Sequence, residues 1–175
     1  MKIFGKLLEL VGYYLPLDTA YAHCDVPCGI YDPHNAQIGA LTVIRMIDII
    51  TEHAAHIEDA EKHDQPTLEL HHGIIRAVKI KEDHAEIVKH EIRIIWGDYF
   101  KPEHFEKYPE ISALTHEIMK LGSATKQALD RAQALKLLEK VNRFAEIFWE
   151  TKGKKTKMVS APYKPEEMIV IPILD

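Results

Sequence analysis

The sequence predicts an all-α protein, an antiparallel up-and-down four-helix bundle. Three observations support this. Apolar residues recur at three- and four-residue steps along four segments, which is the period of a helix with one buried face. Short turns separate most of these segments, as expected for neighbouring antiparallel helices. The alternating pattern of strands is nearly absent before the C-terminal tail.

The first two helices are separated by a proline-containing turn. After Pro33, an apolar seam predicts the first helix; its members are Ala40, Val43, Ile47, Ile50, Ala54 and Ile57. Residues 64–67, Asp-Gln-Pro-Thr, break the pattern and supply a helix start signal. The second helix runs to about Trp96, and its wide apolar face predicts contact with several neighbours. That face has two stripes: Ala77, Ile80, His84 and Ile87, and Val78, Ala85, Val88, Ile92 and Ile95.

The third and fourth helices follow an aromatic segment, residues 97–108 (GDYFKPEHFEKY), which we predict to be a loop. Gly122 marks a weak point near the end of the third helix, because glycine is a poor helix former. The apolar positions are Ile111, Leu114, Ile118 and Leu121 in the third helix and Ala134, Leu137, Val141, Phe144 and Phe148 in the fourth.

Two flanking segments divide the chain into three parts. Residues 1–22 are interpreted as a removable leader, residues 23–153 as the bundle with a metal hook at 23–31, and residues 154–175 as a C-terminal extension. The extension ends in the apolar run MIVIPILD, which Pro172 interrupts. We expect it to dock on the bundle or on a partner subunit; a disordered, solvated end is the alternative.

The leader is similar in part to a secretory signal peptide. Two lysines precede an apolar stretch, and residues 20–22, Ala-Tyr-Ala, resemble a small-residue cleavage site. Glu9 interrupts that stretch and Asp18 lies near its end, which favours a leader removed inside the cell. We therefore expect cleavage after Ala22 in the cytoplasm. Export, and retention of the segment as an amphipathic helix, are the alternatives.

Composition excludes several classes of protein. A net charge of -5 argues against nucleic-acid binding. No apolar run reaches the roughly 18 residues that span a bilayer. The 2 cysteines are too few for a secreted disulfide framework, whereas 11 histidines make metal chemistry worth considering.

Both cysteines lie in HCDVPCGIYDP, residues 23–33, with the spacing Cys24-x-x-x-Cys28. Two thiolates this close can bind one soft or borderline metal ion. Pro27 restricts the bend between them. If the leader is cut after Ala22, His23 becomes the N-terminus and its freed amine becomes a ligand.

Two ligand sets then remain open. The His23 amine, the Cys24 amide nitrogen and both thiolates form a planar set that suits Ni(II) or Cu(II), with the His23 imidazole as a fifth ligand. Without cleavage, the two cysteines with His23 and His34 offer zinc a tetrahedral site. An isolated pair of free cysteines is the third interpretation.

The segment HCDVPCGIYDP resembles the N-terminal nickel hook of the nickel superoxide dismutases. Two later segments, DYFKPEHFEKYPE at 98–110 and IFWETKG at 147–153, are also similar to that family, so the resemblance covers residues 23–153. It implies a homohexamer of four-helix bundles with one nickel ion per subunit, and a leader removed by a dedicated peptidase. The implied metal ligands are His23, Cys24 and Cys28.

The resemblance also implies roles for residues around the hook. Tyr31 would limit access to small anions, and Tyr99 would join it in binding ordered water and anions. Lys101 would attract superoxide to an otherwise acidic protein. Asp25 and Asp98 would help to hold the hook. The protons for peroxide would come from water held by the tyrosines or from a protonated thiol; the sequence does not choose between them.

Two positions depart from the family pattern. Gly39 stands where better-known members carry a glutamate, and His84 where they carry an arginine; in the family these side chains orient the axial imidazole. We expect His84 to point inward from its apolar stripe, and our hypothesis is that it partly supplies this support. A hydrogen-bonded core histidine is the structural alternative.

Two competing functions follow from other metals. A di-iron bundle needs a Glu-x-x-His on each of two helices, and we find a single one, Glu69 to His72. His53 and His56 are more typical of a solvated surface. The second alternative is a non-catalytic zinc or copper clip on a helical interaction protein, which is favoured if the leader is retained.

Overall fold

The computed structural model describes residues 29–174. Contacts divide the chain into two units, Met1–Ile30 and Tyr31–Asp175. Only residues 29 and 30 of the first unit are described, so the architecture below is that of the second. Within the described range, no helix is long and apolar enough to cross a membrane.

The second unit contains four long helices, one short helix and one π-helical segment, within the described range. They are α1 (His34–Lys62), α2 (Leu68–Ile94), the π-helix (Ile95–Tyr99), α3 (Pro102–Lys107), α4 (Ile111–Gln127) and α5 (Arg131–Thr151). The long helices contact one another in a ring, α1 on α2, α2 on α4, α4 on α5 and α5 on α1. This is the neighbour pattern of an up-and-down four-helix bundle, and the predicted fold is confirmed.

The apolar seams form the core of this bundle, apart from Ile87 of the predicted α2 stripe, which is 39% exposed, and apart from one longer stretch. Phe144 and Phe148 of α5, Ile118 of α4 and Ile92 of α2 are fully buried. Between residues 51 and 76, however, Ala60 is the one buried residue. In that stretch α1 and α2 extend past the shorter α4 and α5, so the outer part of the predicted seam of α1, including Ala54, has one helix rather than two to pack against.

The predicted loop at 97–108 is wrong in detail. Its first residues belong to the π-helix Ile95–Tyr99, and α3 occupies Pro102–Lys107. Gly122, the predicted weak point, lies inside α4, which continues without a break to Gln127. A side chain at Gly122 would bring its Cβ within 2.9 Å of Lys89 Cγ, so this glycine permits the close approach of α4 to α2.

The C-terminal tail forms a two-stranded antiparallel hairpin that packs on α5. Strand β1 (Thr156–Ser160) pairs with β2 (Met168–Pro172). Ile169 and Val170 are buried. The buried side chains of Gln37 and Asn142 bond the outer edge of β2: Gln37 Nε2 donates to Val170 O at 2.9 Å, and Asn142 Nδ2 donates to Met168 O at 2.8 Å. Of the two alternatives for the tail, the structure shows the docked one.

A buried lysine joins α2 to the end of α4. Lys81 is 2% exposed, and its ammonium group donates hydrogen bonds to the carbonyl oxygens of Thr125, Lys126 and Ala128 at 2.6, 2.9 and 3.1 Å. Carbonyl groups in the last turn of a helix have no partner within the helix, so this side chain supplies the missing donors. Burial lowers the pKa of Lys81, but the three acceptors account for all three of its protons.

Candidate active site

Most of the predicted metal site lies outside the described residues. This applies to the cleavage residue Ala22, the ligands His23, Cys24 and Cys28, and the supporting residue Asp25. Their roles therefore stay predictions. Within residues 29–174, no group of three or more His, Cys, Asp and Glu side chains is placed to hold a metal ion.

The described site begins at Tyr31, three residues after the second cysteine. Asp32 follows it, and the Asp32 carboxylate accepts a hydrogen bond from His34 N–H at 2.8 Å. This bond satisfies one of the unpaired amides at the start of α1. The half-buried ring of Tyr31 lies against Tyr99, with ring centroids 5.7 Å apart. The structure thus brings together the two tyrosines that the resemblance assigns to the site.

The π-helix sets the position of Tyr99. Phe100 N–H donates to Ile95 O at 3.3 Å, the five-residue step that defines a π turn. Such a turn adds one residue to a helix and changes the direction of the side chains that follow. Here it ends at Tyr99, and the backbone becomes extended at Phe100. Periodicity could not reveal it, although Gly97 weakens the helix at this point.

Aromatic rings surround Tyr99 on several sides. Its centroid lies 4.8 Å from that of Phe148, 5.3 Å from that of Phe100 and 5.6 Å from that of His104. The His104 ring is stacked on it with an interplanar angle of 20°. Spacings of this size are the favourable ones for aromatic pairs, and they leave Tyr99 little freedom to turn.

A hydrogen bond at the start of the short helix α3 orients the ring of His104. Lys101 N–H donates to His104 Nδ1 at 3.1 Å, and Pro102 occupies the first turn. Because a backbone amide can only donate, His104 Nδ1 is the acceptor in this bond. Lys101 itself is exposed, as is Asp98, so both can reach solvent around the tyrosine pair.

Two residues at the end of α5 complete the surroundings of Tyr99, and sequence reasoning missed both. The Tyr99 hydroxyl lies 2.7 Å from Thr151 Oγ1. Lys152 Nζ lies 4.8 Å from the centroid of the Tyr99 ring and 5.1 Å from that of Phe148. These are cation–π distances. The sequence offers one indirect indication, because both residues lie in the segment IFWETKG.

The two departures from the family pattern are neighbours in the structure. A Cβ added at Gly39 would lie 2.8 Å from Val88 Cγ2 and 3.1 Å from the His84 carbonyl oxygen. There is therefore no room for a glutamate at position 39 unless α1 moves away from α2. His84 is half-buried, and its Nδ1 lies 2.9 Å from Ile80 O. A carbonyl oxygen can only accept, so Nδ1 carries a proton and Nε2 faces outward from that bond.

Comparison with known proteins decides the family. A family model described as nickel-containing superoxide dismutase matches residues 18–152. The chain belongs to the nickel-containing superoxide dismutases. Its cofactor is therefore nickel and its activity is that of a superoxide dismutase. The match includes the HCDVPC segment and stops where α5 ends, before the hairpin.

This chain is similar in sequence to individual members of the family. The chain is 42% identical over 139 residues to the superoxide dismutase [Ni] of Streptomyces coelicolor, a match that covers 79% of this chain and 95% of the relative. The protein of the same name from Streptomyces seoulensis gives the same identity and coverage.

Solved nickel superoxide dismutases share the bundle. A native structure has a TM-score of 0.58 and 42% identity over 74% of this chain and 99% of its own. A structure with nickel ligation described as the oxidized state has a TM-score of 0.58 and 41% identity, covering 75% and 99%. An apo structure gives 0.56 and 39%, covering 71% and 99%. These relatives are nickel superoxide dismutases, and none of them is a di-iron enzyme or a non-catalytic metal clip.

Proposed function

We propose that this chain converts superoxide to oxygen and hydrogen peroxide at one nickel ion held by residues 23–28. The observation that carries the proposal is the unbroken HCDVPC segment inside a family match of residues 18–152. Two superoxide anions and two protons give one molecule of each product, so one anion is oxidised and the other reduced. Bound nickel supplies this chemistry by cycling between Ni(II) and Ni(III).

The donor set of the hook suits nickel in this role. The proposed ligands are the His23 amine and imidazole, the Cys24 amide nitrogen, and the Cys24 and Cys28 thiolates. Thiolates and a deprotonated amide donate electron density strongly, which favours the higher oxidation state. Nitrogen and sulfur donors of this kind select nickel or copper rather than hard cations.

Cleavage after Ala22 is required in this scheme, because an uncut His23 has an amide in place of the amine. The test compares Ala22→Pro, which should block cleavage, with Ala22→Ser, which keeps a small residue there. Mass spectrometry of each N-terminus, nickel content and dismutase activity are measured together. We expect the serine variant to begin at His23, bind one nickel and be active, and the proline variant to lack activity. A fully active uncut protein contradicts the scheme, and zinc or copper in place of nickel supports a metal clip.

The tyrosine pair is proposed to face the hook. Tyr31 and Tyr99 would restrict access to small molecules and order water near the metal. Their 5.7 Å contact supports a joint role. Lys101 would add positive potential, and Asp25 and Asp98 would hold the hook. Nickel content separates these roles, since Lys101→Met should keep nickel and lose rate, whereas Asp98→Ala should lose nickel.

His84 is proposed to take part in supporting the His23 imidazole, directly or through water. The support for this is its half-buried position beside Gly39 and its Nε2, which lies on the side of the ring away from the bond to Ile80 O. The test is His84→Ala, with His90→Ala as a control at an exposed position of the same helix. We expect changed nickel spectra in the first variant alone. Unchanged activity and spectra in His84→Ala contradict the role.

The assembly and processing of the protein complete the proposal. It would be a cytoplasmic homohexamer with one nickel ion per subunit, produced when a dedicated peptidase removes residues 1–22. Sedimentation of the mature protein tests the assembly, and a monomer at micromolar concentration contradicts it. The absence of cleavage in the cytoplasmic fraction, with mature protein found outside the cell, supports export instead.

A further inference from the structure

Thr151 makes a second short hydrogen bond besides the one to Tyr99. Its Oγ1 donates to the carbonyl oxygen of Phe148 at 2.6 Å. A carbonyl oxygen has no proton, so the hydroxyl proton of Thr151 must lie in this bond. If it pointed elsewhere, two oxygen lone pairs would face each other at 2.6 Å, which is unfavourable.

This fixes the direction of the bond to Tyr99. A threonine hydroxyl has one proton, and Phe148 O already receives it. At a separation of 2.7 Å, the proton between Tyr99 and Thr151 must then come from the phenol. The result is a directed chain in which Tyr99 donates to Thr151 and Thr151 donates to Phe148.

We propose that Thr151 is a positioning residue that engages the phenol proton of Tyr99 and leaves the Tyr99 oxygen as a hydrogen-bond acceptor for the active site. The oxygen can accept a hydrogen bond from water or from hydrogen peroxide, which both carry O–H groups. It cannot donate one to superoxide. This refines the expected role of Tyr99, because its oxygen can accept a hydrogen bond from water or from neutral hydrogen peroxide but offers no proton to an anion.

The surroundings hold this arrangement in place. Phe148 and His104 pack against the Tyr99 ring at 4.8 and 5.6 Å, so the ring cannot swing away from Thr151 easily. Phe148 thus both packs on the ring and accepts the proton of Thr151. The direction of the chain depends on described residues alone, whereas its effect on catalysis rests on the proposed function.

Raman spectroscopy of the nickel-free protein tests the direction of the bond. The tyrosine doublet near the ring-breathing mode depends on whether the phenol donates or accepts, and subtracting the Tyr99→Phe spectrum isolates Tyr99. We expect the pattern of a donor in the unaltered protein and in Thr151→Ser, which keeps the hydroxyl. Thr151→Val, nearly equal in shape, should lose it.

An acceptor pattern for Tyr99 in the unaltered protein overturns the proposal, even if the valine variant fails to fold. An unchanged pattern in folded Thr151→Val overturns it as well. These outcomes do not depend on nickel or activity, so they are distinct from a failure of the proposed function.

Anion binding to the nickel-loaded protein tests the consequence for the site. In Thr151→Val the phenol proton is free to donate, so azide should bind more tightly, by about fivefold for one neutral hydrogen bond. Thr151→Ser should bind azide as the unaltered protein does. Equal azide affinity in all three proteins contradicts the role of Thr151 in the site.

Discussion

Two lysines, Lys81 and Lys152, lie in regions of the molecule that differ in how the positive charge is surrounded. Lys81 is 2% exposed and uses all its protons on the carbonyl groups at the end of α4. Lys152 is exposed and lies over the rings of Tyr99 and Phe148. No described carboxylate forms an ion pair with Lys152. The first charge is fully satisfied inside the protein, and the second remains available to solvent and solutes.

The difference separates stability from function. Burying an ammonium group costs free energy unless hydrogen bonds satisfy it. Once all its protons are in such bonds, it has no donor free to bind a ligand. A cation held over aromatic rings keeps a defined position and an open side, so its field extends into the surroundings of the site. We therefore expect Lys81 to matter for folding and Lys152 to matter for rate.

The largest expected effect comes from Lys81→Met. It removes three hydrogen bonds of a charged group and leaves the last carbonyl groups of α4 without donors. We expect a loss of about 3 kcal/mol in the free energy of unfolding, at the upper end for bonds to a charged group. Urea unfolding measures it. Activity per bound nickel should be unchanged in the folded variant.

Lys79→Met is the matched control for that prediction. Lys79 lies on the same helix, its side chain is 73% exposed, and it pairs with Asp83 at 2.6 Å. An exposed pair of this kind contributes about 0.5 kcal/mol or less. Equal losses in the two variants would remove the distinction between a satisfied buried charge and a surface charge.

The comparison also shows what sequence can and cannot predict. The four helices follow from local periodicity, and the metal hook follows from a short motif, His23 to Cys28, whose chemistry is local. The contacts of Lys81 and Tyr99 are not local, since they join residues 44 and 52 positions apart. Thr151 lies in the family-like segment IFWETKG, but no periodicity in that segment indicates that a tyrosine will lie against it.

The packing of the C-terminal hairpin is a second feature that the sequence could not predict. The sequence MIVIPILD indicated an apolar segment, and the structure shows what it covers. Gln37 and Asn142 lie on α1 and α5 at positions that, from periodicity, belong to the core. Both side chains are polar because they form hydrogen bonds with the edge of β2. The need for polar residues at these positions cannot be inferred without the position of that strand.

A smaller effect is expected from Lys152→Met, which should change the rate of reaction with superoxide. Losing this charge should lower kcat/KM for superoxide about threefold at low ionic strength. The gap should close as salt rises, because the Debye length falls from about 30 Å at 0.01 M to about 3 Å at 1 M. Pulse radiolysis at several salt concentrations measures this.

Lys157→Met, an equal loss of charge at an exposed position of β1, is the control for Lys152. It should change kcat/KM less than Lys152→Met does. Stability should change by about 1 kcal/mol at most in Lys152→Met, the size of an exposed cation–π contact. A salt-independent loss of rate would mean that Lys152 acts by packing on the rings and not by its charge.

The smallest effect concerns the start of α5, far along the helix from Thr151. The Asp130 carboxylate accepts hydrogen bonds from Ala132 N–H at 2.9 Å and Gln133 N–H at 3.1 Å, and these bonds, that from Gln133 first, lower its pKa below the ordinary 3.8. A carboxyl group whose pKa is lowered in the folded state stabilises the protein above pH 3.8, and this contribution is lost as the pH falls through the folded value.

Asp130→Ala should therefore lower Tm at pH 7 by about 2–4 °C. The difference in Tm from the unaltered protein should narrow below pH 3.8. Asp130→Asn keeps an uncharged cap and should show no pH dependence of its own. Calorimetry between pH 2 and pH 7 distinguishes the three proteins, and a gap that stays constant to the lowest pH would show that the carboxylate charge contributes nothing to the start of this helix.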